Sequence, residues 1–554
     1  MWKKIENYYW TLRYLKKSQI FYLAKNRLKR GKRAVTAAAA PETAELPLWM
    51  EELDACPDYL KRFCVPEILE GQVRLLYEVG TPGGKNWENS GKSHLWNFNL
   101  HYLEFLIPLA AAYGQNADVR YYECYREYCR NWIRENREGS GDGWHPYTIS
   151  LRLTNLWICM DRFSDQLEND REFLQELRDS MYAQYRHLRK SLELHLLGNH
   201  YFENLKGVVL GSLYFQEPEV YEQYKRKLRE EIQEQILPDG VHYERSMMYH
   251  KIILEDLTRV ARAVRNSDPS FCRELLPVLK KMADAAWSLE NGLGRTPLFN
   301  DAGDNVAKPL SDALLQGLKS EFGICPDAEG HRAFPDAGYY CLGNGHIKII
   351  LDAGKMAPDH MPGHGHCDGL SFELGLEGRP FLVNAGTGQY QGELRPYFRS
   401  TAAHNTVLID GKEQSVCWGE HRVGKRITAV SGAYGDRWVG GSLTTCFGKR
   451  QVRQIGLKDR LVVIKDRIRG RGAGYFHLAP EYVYTIDGQC VQARDQAGKE
   501  VCRFQAMPED TIRIHTEGRL CVYAPEFGKT ERIQVLEILW DSDGEEHELR
   551  LQFL

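Results

Sequence analysis

The chain has 554 residues, more than one hydrophobic core accommodates, so two large domains with or without an appendage are expected. Hydrophobic residues at 43% and charged residues at 27% are ordinary for a globular protein, and no run approaches the roughly 18 apolar residues that a bilayer span requires. The 14 cysteines are scattered without a CxxC pair and no export signal is recognisable, so they read as reduced, buried thiols of a cytoplasmic protein.

The net charge of −3 hides an asymmetry: residues 1–34 carry eleven Lys or Arg against one acid, Glu6, a net of +10 that leaves −13 for the rest. Residues 1–44 therefore read as a basic N-terminal arm. Its aromatic stripe, Tyr8, Tyr9, Trp10, Tyr14, Phe21 and Tyr22, is expected to pack on the body while the charges stay solvated. The competing reading is peripheral contact with an anionic membrane surface or polymer. Basic residues interrupt every apolar stretch before a secretory core forms. No nucleic-acid-binding motif is found, and the body is acidic, so no nucleic-acid partner is expected.

From about 45 to 328 the apolar spacing is helical. "VRYYECYREYCRNWIREN" and "ILEDLTRVARAVRN" place apolar residues three and four apart, and short turns such as "LPDG" imply antiparallel helical hairpins. From 329 to 554 the period falls to two. "HIKIILDAG", "LSFELGLEGRPFLV", "RLVVIKDRI" and "IQVLEILWDSDGEEHELRLQFL" read as strands joined at glycine-containing turns, which predicts a large antiparallel sandwich. The fold class is α+β and multidomain, helical first and β second.

Polar density concentrates in five stretches. "GWHPYTISLRLTN" carries Arg152 and Asn155, "GNHYFENLKG" carries Asn199, His200 and Glu203, and "LPDGVHYERSMMYH" carries Glu244, Arg245 and Tyr249. "MPGHGHCDGLSFEL" carries His364, His366 and Asp368 two apart, on one face if extended, and residues 381–411 hold Asn384, Tyr390, Arg399 and His404. Any single one has a structural explanation, since buried polar groups are normally just hydrogen-bonded. Together they suit β-elimination beside a uronic acid. Asn, His or Arg neutralise the carboxylate, a tyrosinate or imidazole takes the adjacent proton, and a phenol or imidazolium protonates the leaving oxygen. A hydrolase on the same scaffold would instead need two carboxylates about 5–9.5 Å apart, with Asp239, Glu203, Glu244 and Asp368 to draw on. A glycan-binding protein without turnover is the third reading.

"GNHYFENLKG", "DGVHYERSMMYH", "HGHCDGLSFEL" and "FRSTAAHNTVLIDG", in this order, resemble the heparinase II/III family of polysaccharide lyases, closest to its heparinase III and oligoalginate lyase branches. The resemblance implies an incomplete α/α toroid followed by an antiparallel β-sandwich. It implies a lyase acting on an acidic polysaccharide, with heparan sulfate favoured over alginate, hyaluronan, chondroitin or an exopolysaccharide. By the same resemblance Asn199 and His200 neutralise the substrate carboxylate, Tyr249, His364 and Tyr390 exchange protons with it, and which is base and which acid stays open. Arg152, Asn155, Glu203, Arg245 and Arg399 are taken as substrate-binding. His366 and His404 match two ligands of a structural zinc. Asn384 stands where the family has Asp, a poorer ligand, for which Asp368 is a conceivable substitute. Separating His364 from His366 on one strand face would require a bulge or bend near Gly365.

Overall fold

The computed structural model describes residues 2–28, 39–48, 57–60, 62–310, 314–327, 329–330, 332–487 and 490–554. The basic run at 29–33 and the expected domain boundary at residue 328 lie outside the described residues. Two helices, α1 (Trp2–Arg13) and α2 (Lys17–Leu28), form the arm. Four helical hairpins follow: α3 (Ile107–Asn116) with α4 (Val119–Glu135), α5 (Pro146–Arg162) with α6 (Arg171–Lys190), α7 (Gly198–Tyr214) with α8 (Pro218–Gln235), and α9 (Met247–Val264) with α10 (Pro269–Glu290).

The hairpins start where the chemistry of helix ends predicts. Asp118, Asp170, Ser246 and Asp268 accept backbone N–H groups of the first turns of α4, α6, α9 and α10, and proline opens α5, α8 and α10. Helices α3, α5, α7 and α9 pack on one another in sequence order as an inner layer, and their partners lie outside them. Burial separates the layers. In α9 every residue but Ile252 is buried, and in α7 all but His200 and Leu213. The outer α4 buries only the stripe Tyr122, Tyr125, Cys129 and Trp132, the spacing of an amphipathic surface helix. This is the expected incomplete toroid.

The β domain is a sandwich. One sheet has five antiparallel strands in sequence order, Ala333–Phe334, Tyr339–Gly343, Ile347–Asp352, Phe372–Leu376 and Arg379–Leu382. The other has ten strands and is centred on two long partners, Leu461–His477 and Val535–Phe553. Their inner faces meet through Ile349, Leu351, Phe372 and Leu374 on one side and Ile455, Val462, Ile464 and Leu549 on the other. Strand Arg450–Lys458 alternates buried and exposed residues along its length, as a half-buried strand should. The expected turn at "DSDG" does not reverse the chain. Gly544 (φ +106°) sits in a bulge opposite Ile468, and the strand continues to Phe553.

The arm straddles both domains. Thr11 Oγ1 donates to Val423 O (3.0 Å) and accepts from Trp418 Nε1 (3.2 Å), and the Arg426 guanidinium lies 3.9 Å from the Tyr14 ring centroid. Gln19 Nε2 donates to His360 O at 3.2 Å, and Lys16 pairs with Glu234. The aromatic stripe therefore divides: Tyr8, Trp10 and Tyr14 face the body, while Tyr9 and Phe21 stand in solvent.

Candidate active site

A cleft of about 1030 Å³ opens between the ends of the inner helices and the loops of the β domain. Asn199 and His200 enter it from the first turn of α7, Tyr249 from the first turn of α9, and His364 and Tyr390 from β-domain loops. Gly198, immediately before Asn199, has φ +60°, a left-handed conformation that favours glycine, and a Cβ there would crowd the Met361 sulfur at 2.1 Å where the α7 end meets the β domain.

Three of these side chains, Asn199, His200 and His364, are each held by a buried carboxylate. Glu244 accepts Asn199 Nδ2 (3.0 Å) and the Asn199 backbone N–H (3.0 Å), which orients the amide. Glu193 Oε1 lies 2.9 Å from His200 Nδ1 and its other oxygen accepts Asn204 Nδ2 at 3.1 Å. Burial alone would push the Glu193 carboxyl up, but His200 holds it down at about 2. Burial likewise disfavours the charged His200 ring, yet the charge and hydrogen bond of Glu193 outweigh it and raise the pKa above the ordinary 6.5. The His200 ring packs against Tyr147, tilted by 32° with 4.3 Å between centroids.

Asp301 is the third carboxylate. Its Oδ2 meets His364 Nδ1 at 2.9 Å, its Oδ1 meets His366 Nε2 at 2.8 Å, and Arg395 pairs with both oxygens. Burial raises its carboxyl, but Arg395 and the two imidazoles hold it well below the carboxylate range. The adjacent Asn300 ties the same loops together: its N–H donates to Asp368 Oδ2 (2.8 Å), its Oδ1 accepts the His366 N–H (3.0 Å), and its Nδ2 donates to Arg245 O (3.0 Å).

Residues 361–370 are a loop rather than a strand, which begins only at Phe372, so the expected two-residue strand parity is corrected, and the chain bends just before Gly365, whose N–H donates to Pro362 O at 3.1 Å. The loop sends His364 toward the cleft and buries His366 on the opposite oxygen of one carboxylate. Tyr249 and Tyr390 approach with their hydroxyls 2.6 Å apart, and the Tyr249 and His364 ring centroids are 4.3 Å apart. Burial pushes both phenols above their ordinary 10.

Four residues expected to bind substrate do not reach the cleft. Arg152 is fully buried, donating to His101 O (2.8 Å), Gly143 O (2.6 Å) and Gln184 Oε1 (2.9 Å) over the Trp132 ring. Arg245 donates to the carbonyls of Ala337, Tyr243 and Asp336, and Arg399 to those of Gly365 and Glu420. Glu203 lies buried beside Lys206 at 2.5 Å. These are structural groups. Asn155 does line the cleft, with its Nδ2 on Tyr102 O at 2.9 Å. Sequence reasoning missed Asp301, Glu193, Tyr147 and His421, the last also a cleft residue, 6.1 Å from the His364 ring. Among the described residues no lysine lines the cleft, and its arginines are committed: Arg62 to Glu104, Arg74 to Glu67, Arg259 to Glu255.

Behind His364, the buried His366, Asp368 and His404 each offer a ligand atom, all within 4.8 Å of one another. His366 Nδ1 and His404 Nδ1 have no hydrogen-bond partner among the described residues, an arrangement that a cation relieves. Asn384 Oδ1, expected as a ligand, accepts Ser371 Oγ (2.7 Å) and the Asn405 N–H (3.2 Å) instead, so Asp368 takes its place in the group.

A helical toroid joined to an antiparallel sandwich, with an Asn–His–Tyr cleft between them, defines a recognisable class. The heparinase II/III N-terminus model matches residues 74–323, and the heparinase II/III-like C-terminal model matches residues 326–550. The chain belongs to the heparinase II/III family. It is 25% identical over 452 residues to a heparin-sulfate lyase of Bacteroides thetaiotaomicron, covering 71% of this chain and 63% of that protein. A heparin-sulfate lyase of Pedobacter heparinus is 24% identical over 368 residues, covering 60% and 54%. The chain thus spans less than two thirds of the length of these curated relatives. A crystal structure of heparinase III superposes with a TM-score of 0.70 at 20% identity, over 97% of this chain and 91% of that one. The Streptomyces coelicolor chondroitin AC lyase superposes at 0.52 with 10% identity, over 94% and 81%.

Proposed function

We propose that the protein is a polysaccharide lyase that cleaves a uronic-acid-containing glycan by β-elimination, leaving a 4,5-unsaturated uronate end. One observation carries this reading: Asn199, His200, Tyr249, His364 and Tyr390 converge on one cleft while the nearby carboxylates Glu193, Glu244 and Asp301 are used up in holding Asn199, His200 and His364. The substrate carboxylate sits against Asn199 Nδ2 and the His200 imidazolium, which stabilise the negative charge that develops when the adjacent C–H is broken. One phenol of the Tyr249–Tyr390 pair takes that proton, and the other, or His364, returns one to the glycosidic oxygen. The hydrogen bond between the phenols shares the charge of whichever is ionised. Substrate stereochemistry selects which one that is.

The carboxylates that a hydrolase would need are committed elsewhere. Asp239 accepts the backbone N–H groups of Val241 and Ala337, Glu203 faces Lys206, Glu244 holds Asn199, and Asp368 holds Asn300.

Heparan sulfate is the favoured substrate, since both curated relatives are named heparin-sulfate lyases. The commitment of the cleft arginines supports a second reading, a polymer with few or no sulfates such as hyaluronan, alginate or an exopolysaccharide. Incubation with heparan sulfate, heparin, hyaluronan and alginate, followed by mass spectrometry, tests both. Elimination products are one water lighter than hydrolysis products. Lighter products from heparan sulfate support the first reading, from hyaluronan or alginate alone the second, and fragments carrying the water contradict the lyase.

The residues also fit a structural zinc, held by His366, Asp368 and His404. The ion would neutralise Asp368, whose carboxyl burial pushes up to about 6, and would join the His364 loop to the segment at 404. It takes no part in the elimination.

A further inference from the structure

The arm carries an apolar face that points away from the protein. On α1, Trp2, Ile5, Tyr9 and Leu12 recur at three- and four-residue spacing, one stripe of a helix, and are 85%, 52%, 58% and 53% exposed. The side that grips the body, through Trp10 and Thr11, lies roughly opposite, so these large side chains are not displaced core residues. On α2 the outward face continues with Ile20 and Phe21, the latter 59% exposed, while Gln19 faces inward onto carbonyls of Leu196 and His360.

Cations flank the stripe. Lys4, Arg13, Lys17 and Arg27 are exposed, and the one acid of α1 and α2, Glu6, is paired with Lys425 at 2.6 Å. Residues 2–28 carry seven Lys or Arg against Glu6, a net of +6 in a chain whose total is −3, so the element that carries the exposed apolar stripe is also strongly positive. A bilayer with anionic headgroups complements both properties at once: aromatic and aliphatic side chains enter the headgroup boundary and lysines and arginines meet the phosphates. An acidic polysaccharide would engage the cations but leave the apolar stripe in water. A helix of 12 residues spans about 18 Å, so it lies on such a surface rather than crossing it.

We propose that the outward face of α1 and α2 is a docking surface for anionic membrane lipid, which holds the enzyme peripherally at a bilayer. The proposal is independent of the reaction in the cleft. The body-facing contacts of Thr11, Tyr14 and Gln19 are expected to persist on docking, so the two helices bind as a preformed surface.

Flotation of the full-length protein with vesicles tests it, using phosphatidylcholine alone and phosphatidylcholine mixed with phosphatidylglycerol. The comparison includes the variant Trp2→Glu/Ile5→Glu/Tyr9→Glu/Leu12→Glu, and a second variant, Lys4→Glu/Arg13→Glu/Lys17→Glu/Arg27→Glu, with melting temperature as the check on folding. The expected result is binding to the mixed vesicles only, weakened by added salt and reduced at least about tenfold in both variants. No flotation of the native chain overturns the proposal, as does equal flotation of the first variant. It is also overturned if the native chain is a dimer that the first variant converts to a monomer without vesicle binding by either, because the stripe is then a self-interface. Retention on immobilised heparin that the second variant loses, with no vesicle binding by the native chain, assigns the arm to a polymer instead.

Discussion

The hydroxyl oxygens of Tyr249 and Tyr390 lie 2.6 Å apart, one carried by an inner helix of the toroid and the other by a loop of the β domain. The hydrogen-bonded pair to which the proposed mechanism assigns proton transfer therefore exists only when the two domains are docked. Because the phenols share one hydrogen bond, the proposed mechanism has them act as a unit in proton transfer. Tyr249→Phe and Tyr390→Phe are each expected to lower kcat by about 10²–10⁴, with the double variant falling little further than the worse single one. Steady-state rates of the three variants check this. Independent, multiplying losses would show that the hydroxyls do not cooperate.

His200 sets a pH dependence whose sign follows from Glu193. Its pKa is raised above 6.5, so below that raised value the ring is an imidazolium, the form to which the proposed mechanism assigns the substrate carboxylate, and the charge is lost as pH rises through it. KM is expected to increase on the alkaline side of this transition. Meanwhile kcat keeps rising, because the phenol pair is held neutral by burial and gains ionised base with pH. His200→Gln should flatten the KM profile and leave the kcat profile in shape. A KM profile that persists unchanged in the variant would assign the transition to another group.

What the sequence made legible follows the range of the interactions. The change from helical to two-residue period is written in neighbouring residues, and it located the toroid and the sandwich. Asn199, His200, Tyr249 and His364 stand in stretches dense enough in polar residues to be noticed. Asp301 was not, because it lies in "NDAGDN", which reads as a turn, and its partners His364 and His366 are more than sixty positions away. The arginines misled for a related reason. A guanidinium at 152, 245 or 399 looks available for an anionic substrate, and only the packed structure reveals the backbone carbonyls that occupy it. "DSDG" looked like a reversal because a bulge and a turn use the same residues.

Arg152 turns that correction into a stability test. Its guanidinium satisfies two backbone carbonyls and Gln184 inside the helical layer, so Arg152→Ala leaves buried acceptors unpaired. A loss of about 2–4 kcal/mol in unfolding free energy is expected, with KM of the folded protein within about twofold of native. Denaturant unfolding and steady-state kinetics measure the two quantities. A large rise in KM with native stability would restore Arg152 as a substrate contact.

Zinc occupancy has its own signature. The native protein is expected to carry about one zinc per chain by elemental analysis, and His404→Ala to lose it, because a three-residue site does not hold the ion with two. Chelation is expected to lower Tm by about 2–4 °C or more. Absence of metal from the native protein, together with a Tm indifferent to chelator, would leave His366 and His404 as a metal-free pair.

The most direct test of the lyase is ultraviolet absorbance during digestion of the acidic polysaccharide panel, with Tyr249→Phe run in parallel. Elimination conjugates a new carbon–carbon double bond to the uronate carboxylate, and hydrolysis does not. Absorbance that rises with at least one polymer in the native protein and stays flat in the variant is the expected result. New reducing ends without absorbance would contradict elimination and return the cleft to its carboxylates.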